Sequence, residues 1–234
     1  MSTAVAVNTV YSNTQEQEIR IICESLIGYT TTISFTMISP TGERHQGIIN
    51  NCNIVGNCLE DIVLPIIQKK VNTFKEGKKQ VSPDFYNNEC RYELKTFRRT
   101  AGFDIGSITG VITALSLEGG ITKKIFNTIY LVFEYDIDDD NNIILKKFWM
   151  LRIWDLCCGY GGAKPINTGG GKGVNIRPAT KNQWTDKKSK DKRNPTNFLD
   201  RIESLIQSKW YKVDPSERKQ NLESIKTQRK AIGC

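Results

Sequence analysis

Residues 82–95 read Ser82-Pro83-Asp84-Phe85-Tyr86-Asn87-Asn88-Glu89-Cys90-Arg91-Tyr92-Glu93-Leu94-Lys95. Asn87-Asn88 suits a two-residue turn, because asparagine tolerates positive φ. With the turn there, the flanking segments form a β-hairpin that sets Asp84 opposite Arg91. Side chains alternate along a strand, so Arg91, Glu93 and Lys95 share one face. Pairing turns Asp84 to the same face and makes Glu93 its diagonal neighbour, about 7 Å away between backbones. Two carboxylates and an ammonium therefore converge.

That grouping suits phosphodiester hydrolysis. Paired carboxylates offer the hard oxygen ligands that Mg²⁺ prefers, and the ion neutralises a phosphate and acidifies a water. A lysine beside them can orient the attacking water or stabilise charge growing on phosphorus. The plainer alternative is a surface hairpin carrying an incidental ion pair.

On the N-terminal side, Gln15 to Gly28 has a helical apolar stripe of Ile19, Ile22, Cys23, Leu26 and Ile27, stopped by Gly28. Thr30 to Ile38 is rich in β-branched residues and runs into Pro40-Thr41-Gly42, a hairpin signal. A second helix is expected from about Val55 to Glu76, with Leu59, Ile62, Val63, Ile66, Ile67, Val71 and Phe74 on its apolar face. Pro65 should bend or split it.

On the C-terminal side, Ile105 to Leu117 fits either state and is read as helix. Asn127–Asp136 and Ile143–Trp154 are strands joined at Asp138-Asp139-Asp140-Asn141-Asn142, a solvated turn that lacks the glycine and distal glutamate of an EF-hand. A glycine-rich loop, Cys158 to Gly173, precedes a short strand, Val174 to Arg177. After a charged connection, two amphipathic helices begin at Pro195, capped by Asn194, and at Pro215, after Asp214. This mixture indicates a single α/β domain with a central mixed sheet flanked by helices.

Composition narrows the class. The chain has 234 residues, 38% hydrophobic and 25% charged, as an ordinary globular protein does. It contains no apolar run of about 20 residues, so no membrane partner is expected. Met1 to Asn13 lacks a basic region followed by an apolar stretch, and a cytoplasmic location is expected. The seven cysteines include no CxxC pair, which disfavours structural zinc, and a disulfide framework is not expected in a chain of this size without an export signal. The net charge of +8 is unevenly placed: residues 1–163 carry 16 basic and 18 acidic side chains, residues 164–234 carry 17 and 7. A basic C-terminal third points to a polyanion, nucleic acid before membrane. His45 is the only histidine, so histidine-dependent nucleases and Ser-His-Asp hydrolases lack their base. Gly171-Lys172 is followed by Gly173 where a phosphate loop needs Ser or Thr, which removes ATP binding.

Pro83-Asp84 followed by Glu93-Leu94-Lys95 resembles the PD-(D/E)xK motif of the restriction-enzyme-like nuclease superfamily. The order of elements, the segment from Glu60 through Pro65-Ile66-Ile67-Gln68-Lys69, and the run from Asp155-Leu156 past Gly159 and Gly161 to Asn175-Ile176 are similar to type II restriction endonucleases of the EcoRV and HincII kind. The likeness spans roughly residues 15–185. Glu93 stands where those two carry aspartate, and the Asp84-to-Glu93 spacing is short.

The resemblance implies a Mg²⁺-dependent type II site-specific deoxyribonuclease leaving 5′-phosphate and 3′-hydroxyl ends. Asp84, Glu93 and the Leu94 carbonyl would hold the ion, Lys95 would orient the water, and Glu60 would be an accessory acid. A restriction-endonuclease-like core over about 15–156 would carry catalysis and dimerisation, and about 157–234 the recognition loop and C-terminal helices. The partners would be double-stranded DNA with a palindromic site, a second copy of the chain, and a cognate methyltransferase of the same bacterial system. Lys164, Asn167, Lys172, Asn175 and Arg177, with Gln80 before the hairpin, are the expected DNA contacts. Two readings compete: a nuclease of the same fold without sequence specificity, and a non-catalytic nucleic-acid-binding protein.

Overall fold

The computed structural model describes residues 14–71, 75–77, 84–86, 91–99, 126–158, 193–208 and 211–233, and in shorter pieces 103, 105–107, 111, 164–167, 174–178, 184 and 191. Helix α1 (Thr14–Ser25) is followed by β1 (Thr30–Thr31), the hairpin of β2 (Ser34–Ile38) and β3 (Arg44–Ile48), and helix α2 (Cys52–Lys70). Then come β4 (Lys75–Glu76), β5 (Phe85–Tyr86), β6 (Arg91–Arg98), β7 (Gly106–Ser107), β8 (Thr128–Ile137) and β9 (Ile143–Arg152). The short helix α3 (Ile153–Cys157), strands β10 (Lys164–Asn167) and β11 (Val174–Arg177), and helices α4 (Pro195–Gln207) and α5 (Pro215–Ala231) complete the chain.

The central sheet has six strands in the order β1-β9-β8-β6-β5-β4. Only the β6–β8 pair is parallel, so the sheet is mixed as expected. Strand β8 is buried on both faces over Thr128–Phe133, which explains its almost unbroken apolar run. Tyr92 and Leu94 of β6 and Ile129, Leu131 and Phe133 of β8 pack in one core with α1 and α2. Phe97, Tyr130 and Val132 turn the other way, into a second core with α3, α4, α5 and the rings of Trp154 and Trp184. Side-chain alternation thus splits the protein into two apolar layers around one sheet.

Several sequence expectations match closely. Gly28 ends the α1 turn at φ +89°, and its N–H donates to the Leu145 carbonyl at 2.8 Å. Asn194 caps α4 by accepting from the Asn197 N–H at 2.8 Å. Asp214 caps α5 by accepting from the N–H groups of Ser216 and Glu217, both at 2.9 Å. The acidic tip is a turn in which Asp138 accepts from the N–H groups of Asp140 and Asn142.

Other expectations are corrected. The β-branched run from Thr30 breaks into β1, which pairs with β9, and β2, which pairs with β3. Helix α2 starts at Cys52 and ends at Lys70, leaving Lys75–Glu76 to pair as a strand with β5. Pro65 lies inside one continuous helix and does not split it; it is exposed, as is Ile62 (40%), while Phe74 lies outside the described residues. Within Ile105–Leu117, Val111 is helical as expected, but Gly106–Ser107 is a strand on β11, because two extended residues gained a partner that local propensity cannot reveal. Strand β9 ends at Arg152, and residues 153–157 turn into α3. The glycine-rich loop contains strand β10, paired antiparallel with β11.

Candidate active site at the open edge of β6

Strand β6 has unequal neighbours. Along one side β8 pairs with all eight residues, Arg91 to Arg98. Along the other, β5 pairs only with Arg91 and Tyr92. Beyond Tyr92 that edge of β6 has no strand on it among the described residues.

Asp84 stands where β5 gives out. Its N–H donates to the Tyr92 carbonyl at 3.0 Å. Its carboxylate Oδ2 accepts the Leu94 N–H at 2.6 Å, taking the place of the missing strand. The N–H and C=O of one strand residue point to the same side, so the Leu94 carbonyl opens onto the same edge as Asp84.

The pairing corrects the expected register. Phe85 lies opposite Tyr92 and Tyr86 opposite Arg91, which sets Asp84 level with Glu93 instead of opposite Arg91. Residues 87–90, between the paired segments, lie outside the described residues. The slip is of two residues, so the shared face is preserved, and it brings the carboxylates closer than a diagonal pair.

Glu93 and Lys95 project from β6 to the face of the second core. Glu93 is buried, and its Oε1 pairs with the Lys95 Nζ at 2.7 Å. Its other oxygen, Oε2, is buried with no hydrogen-bond partner among the described residues. Tyr130 of β8, also buried, lies in register with Glu93 and walls the site. Glu60 arrives from α2, on the opposite side of the sheet, yet its carboxyl senses Lys95, Asp84 and Glu93.

The electrostatics follow from three acids facing one ammonium. Burial, reinforced by Glu93, pushes the Asp84 carboxyl up to about 6 against the pull of the Leu94 N–H and Lys95. Burial also pushes Glu60 up to about 7, opposed by Lys95 and helped by Asp84 and Glu93. For Lys95 burial acts downward, but Glu93, Glu60 and Asp84 outweigh it and hold the ammonium above its ordinary range. Three carboxyls thus share the Lys95 ammonium, and the Arg91 guanidinium also senses Glu93.

A hard cation suits the oxygens gathered here. The orphaned Glu93 Oε2, the Asp84 carboxylate fixed at one oxygen, and the Leu94 carbonyl form an all-oxygen donor set. Among the described residues no three His, Cys, Asp or Glu side chains group closely enough to hold an ion by themselves. Two carboxylates and a main-chain oxygen are thus the candidate ligands, with Glu60 beside them.

The expected DNA contacts are only partly visible. Lys164 pairs with Arg177 and Asn167 with Val174 across β10 and β11, and Asn175 pairs with Ile166 and with Ser107. Gln80 and Lys172 lie outside the described residues. The Asp84 bond to the Leu94 N–H had no signal in the sequence, since it depends on where β5 stops.

Comparison with known proteins adds the lineage. The family model described as NgoBV restriction endonuclease matches residues 24–229. The type II restriction enzyme NlaIV of Neisseria lactamica is 30% identical over 117 residues, 47% of this chain and 46% of that protein. The type II restriction enzyme NgoBV of Neisseria gonorrhoeae is 26% identical over 117 residues, 47% of this chain and 64% of that one. Each match spans less than two thirds of the relative's own length. The solved structure of the NlaIV restriction endonuclease superposes with a TM-score of 0.65 at 21% identity, covering 93% of this chain and 89% of that chain, and shows that the two share a fold. With the family match running from the end of α1 almost to the end of α5, this chain belongs to the NgoBV restriction endonuclease family.

Proposed function

We propose that the chain is a site-specific double-stranded DNA endonuclease that uses Mg²⁺ and leaves 5′-phosphate and 3′-hydroxyl ends. The observation that carries this reading is the buried, unpaired Glu93 Oε2 set beside Asp84 and Lys95 at an open strand edge. A divalent ion held by Asp84, Glu93 and the Leu94 carbonyl supplies neutralisation of the phosphodiester and acidification of water.

The residues do the rest. The Leu94 N–H fixes Asp84, so that carboxylate is oriented before any ligand arrives. Lys95 keeps its proton because the acids around it outweigh burial. Its ammonium can therefore donate to an attacking water and to the charge that grows on the phosphoryl oxygens. Glu60 adds negative potential as an accessory acid.

Recognition is assigned to the segment from Gly159 to Arg177, where Lys164, Asn167, Lys172, Asn175 and Arg177 supply base-reading and phosphate-gripping groups, with Gln80 in support. Cutting both strands of a palindrome calls for a homodimer. All but one of the exposed large apolar side chains among the described residues lie between Ile21 and Ile62, including Phe35, Met37 and Ile38. Such a concentration supports dimerisation through the N-terminal part, within residues 15–156. An enzyme of this kind works in the bacterial cytoplasm beside a cognate methyltransferase that protects the host's own sites.

Incubation of the purified protein with plasmid DNA and Mg²⁺ tests this reading. Discrete fragments are expected. A smear would mean a nuclease without sequence specificity, and intact DNA a binding protein.

A further inference from the structure

Thr96 follows Lys95 on β6 but points to the other side of the sheet, toward α2, and is buried. Its Oγ1 donates to the Gly56 carbonyl of α2 at 3.2 Å. A Cβ built on residue 56 would stand 3.0 Å from that hydroxyl, tighter than ordinary contact. Glycine inside a helix costs about 1 kcal/mol relative to alanine; here its bare Cα lets α2 close onto β6. The same carbonyl belongs to the helical ladder in which the N–H of residue i bonds to the C=O of residue i−4, and four residues after Gly56 is Glu60. One carbonyl oxygen thus joins the strand that carries Lys95 to the turn of helix that carries Glu60.

We infer that Thr96 is a positioning residue: through the Gly56 carbonyl it fixes the turn of α2 that presents Glu60 to the Asp84–Glu93–Lys95 cluster. The inference rests on the metal-site reading above. Valine matches threonine in shape and lacks the hydroxyl; serine keeps the hydroxyl and lacks the methyl. The Gly56→Ala variant attacks the link from the helix side.

The test is Mn²⁺ affinity by titration calorimetry, with thermal melting in parallel, on the full chain. Thr96→Val is expected to weaken binding on the order of 10-fold, and Thr96→Ser to bind like the parent. In a Glu60→Gln background Thr96→Val is expected to change nothing, because the residue it positions is already neutralised. Gly56→Ala should weaken Mn²⁺ binding without lowering the melting temperature, which keeps the inference open to test even if Thr96→Val fails to fold. Full affinity in Thr96→Val, or equal losses with and without Glu60, would overturn the positioning role alone. A parent whose Mn²⁺ affinity is untouched by Asp84→Asn would overturn the metal site and this inference with it.

Discussion

Lys95 carries the cation of the cluster, and its chemistry separates two roles. A compact ammonium 2.7 Å from Glu93 fills a space that a planar guanidinium cannot. Lys95→Ala should abolish cleavage, and Lys95→Arg should fail to restore it; an active arginine variant would reduce Lys95 to generic positive charge. The acids give a pH signature. Asp84 and Glu60 bind protons more tightly in the folded chain than at their ordinary values of 3.8 and 4.5. The folded state therefore holds more protons, and this contribution to stability is full below about pH 4 and lost as pH rises through about 6 to 7. In chelator, Asp84→Asn should melt above the parent at pH 8, with the advantage shrinking toward pH 5. Equal melting differences at both pH values would mean that Asp84 is not electrostatically frustrated.

At the level of elements, the face shared by Asp84, Glu93 and Lys95 was legible because strand alternation is insensitive to a slip of two. The register was not, because it depends on how many residues the connection needs. Asn87-Asn88 signals a turn, but Phe85 pairs with Tyr92 and Tyr86 with Arg91, two residues out of the register that turn implies. The helix caps were legible for a different reason: Asn194-Pro195 and Asp214-Pro215 state their chemistry locally. Strands β7 and β10 were hidden, since each exists through pairing with β11. Caps also matter to the second core, which α4 and α5 close over. Asp214→Ala should cost about 1 kcal/mol of stability, read as a lower urea midpoint with unchanged slope and unchanged cleavage per folded molecule. An unaltered midpoint would mean that the end of α5 frays without consequence for the core.

The whole molecule separates its tasks along the chain. Residues 1–163 are nearly neutral overall and contain the acid cluster, while the excess of basic residues lies beyond Ala163. Long-range attraction for a polyanion and local attraction for a cation therefore come from different parts of one protein. If β10, β11 and their flanks read bases, Asn167→Ala or Asn175→Ala should each cost about 1–3 kcal/mol of specific binding and barely alter binding to random duplex. Lys172→Ala should weaken both and reduce the salt slope by about one. Competition experiments in Ca²⁺ at several salt concentrations measure all three, and asparagine variants that keep the full cognate-to-random ratio would move recognition elsewhere. The metal site is tested most directly by cleavage in Mg²⁺ and binding in Ca²⁺, on the same cognate duplex, for the parent, Asp84→Ala and Glu93→Ala. Cleavage should be slower by at least about 10³ in both variants with DNA binding largely intact; either variant cutting at near the parent rate would mean that Asp84 and Glu93 do not hold the catalytic ion.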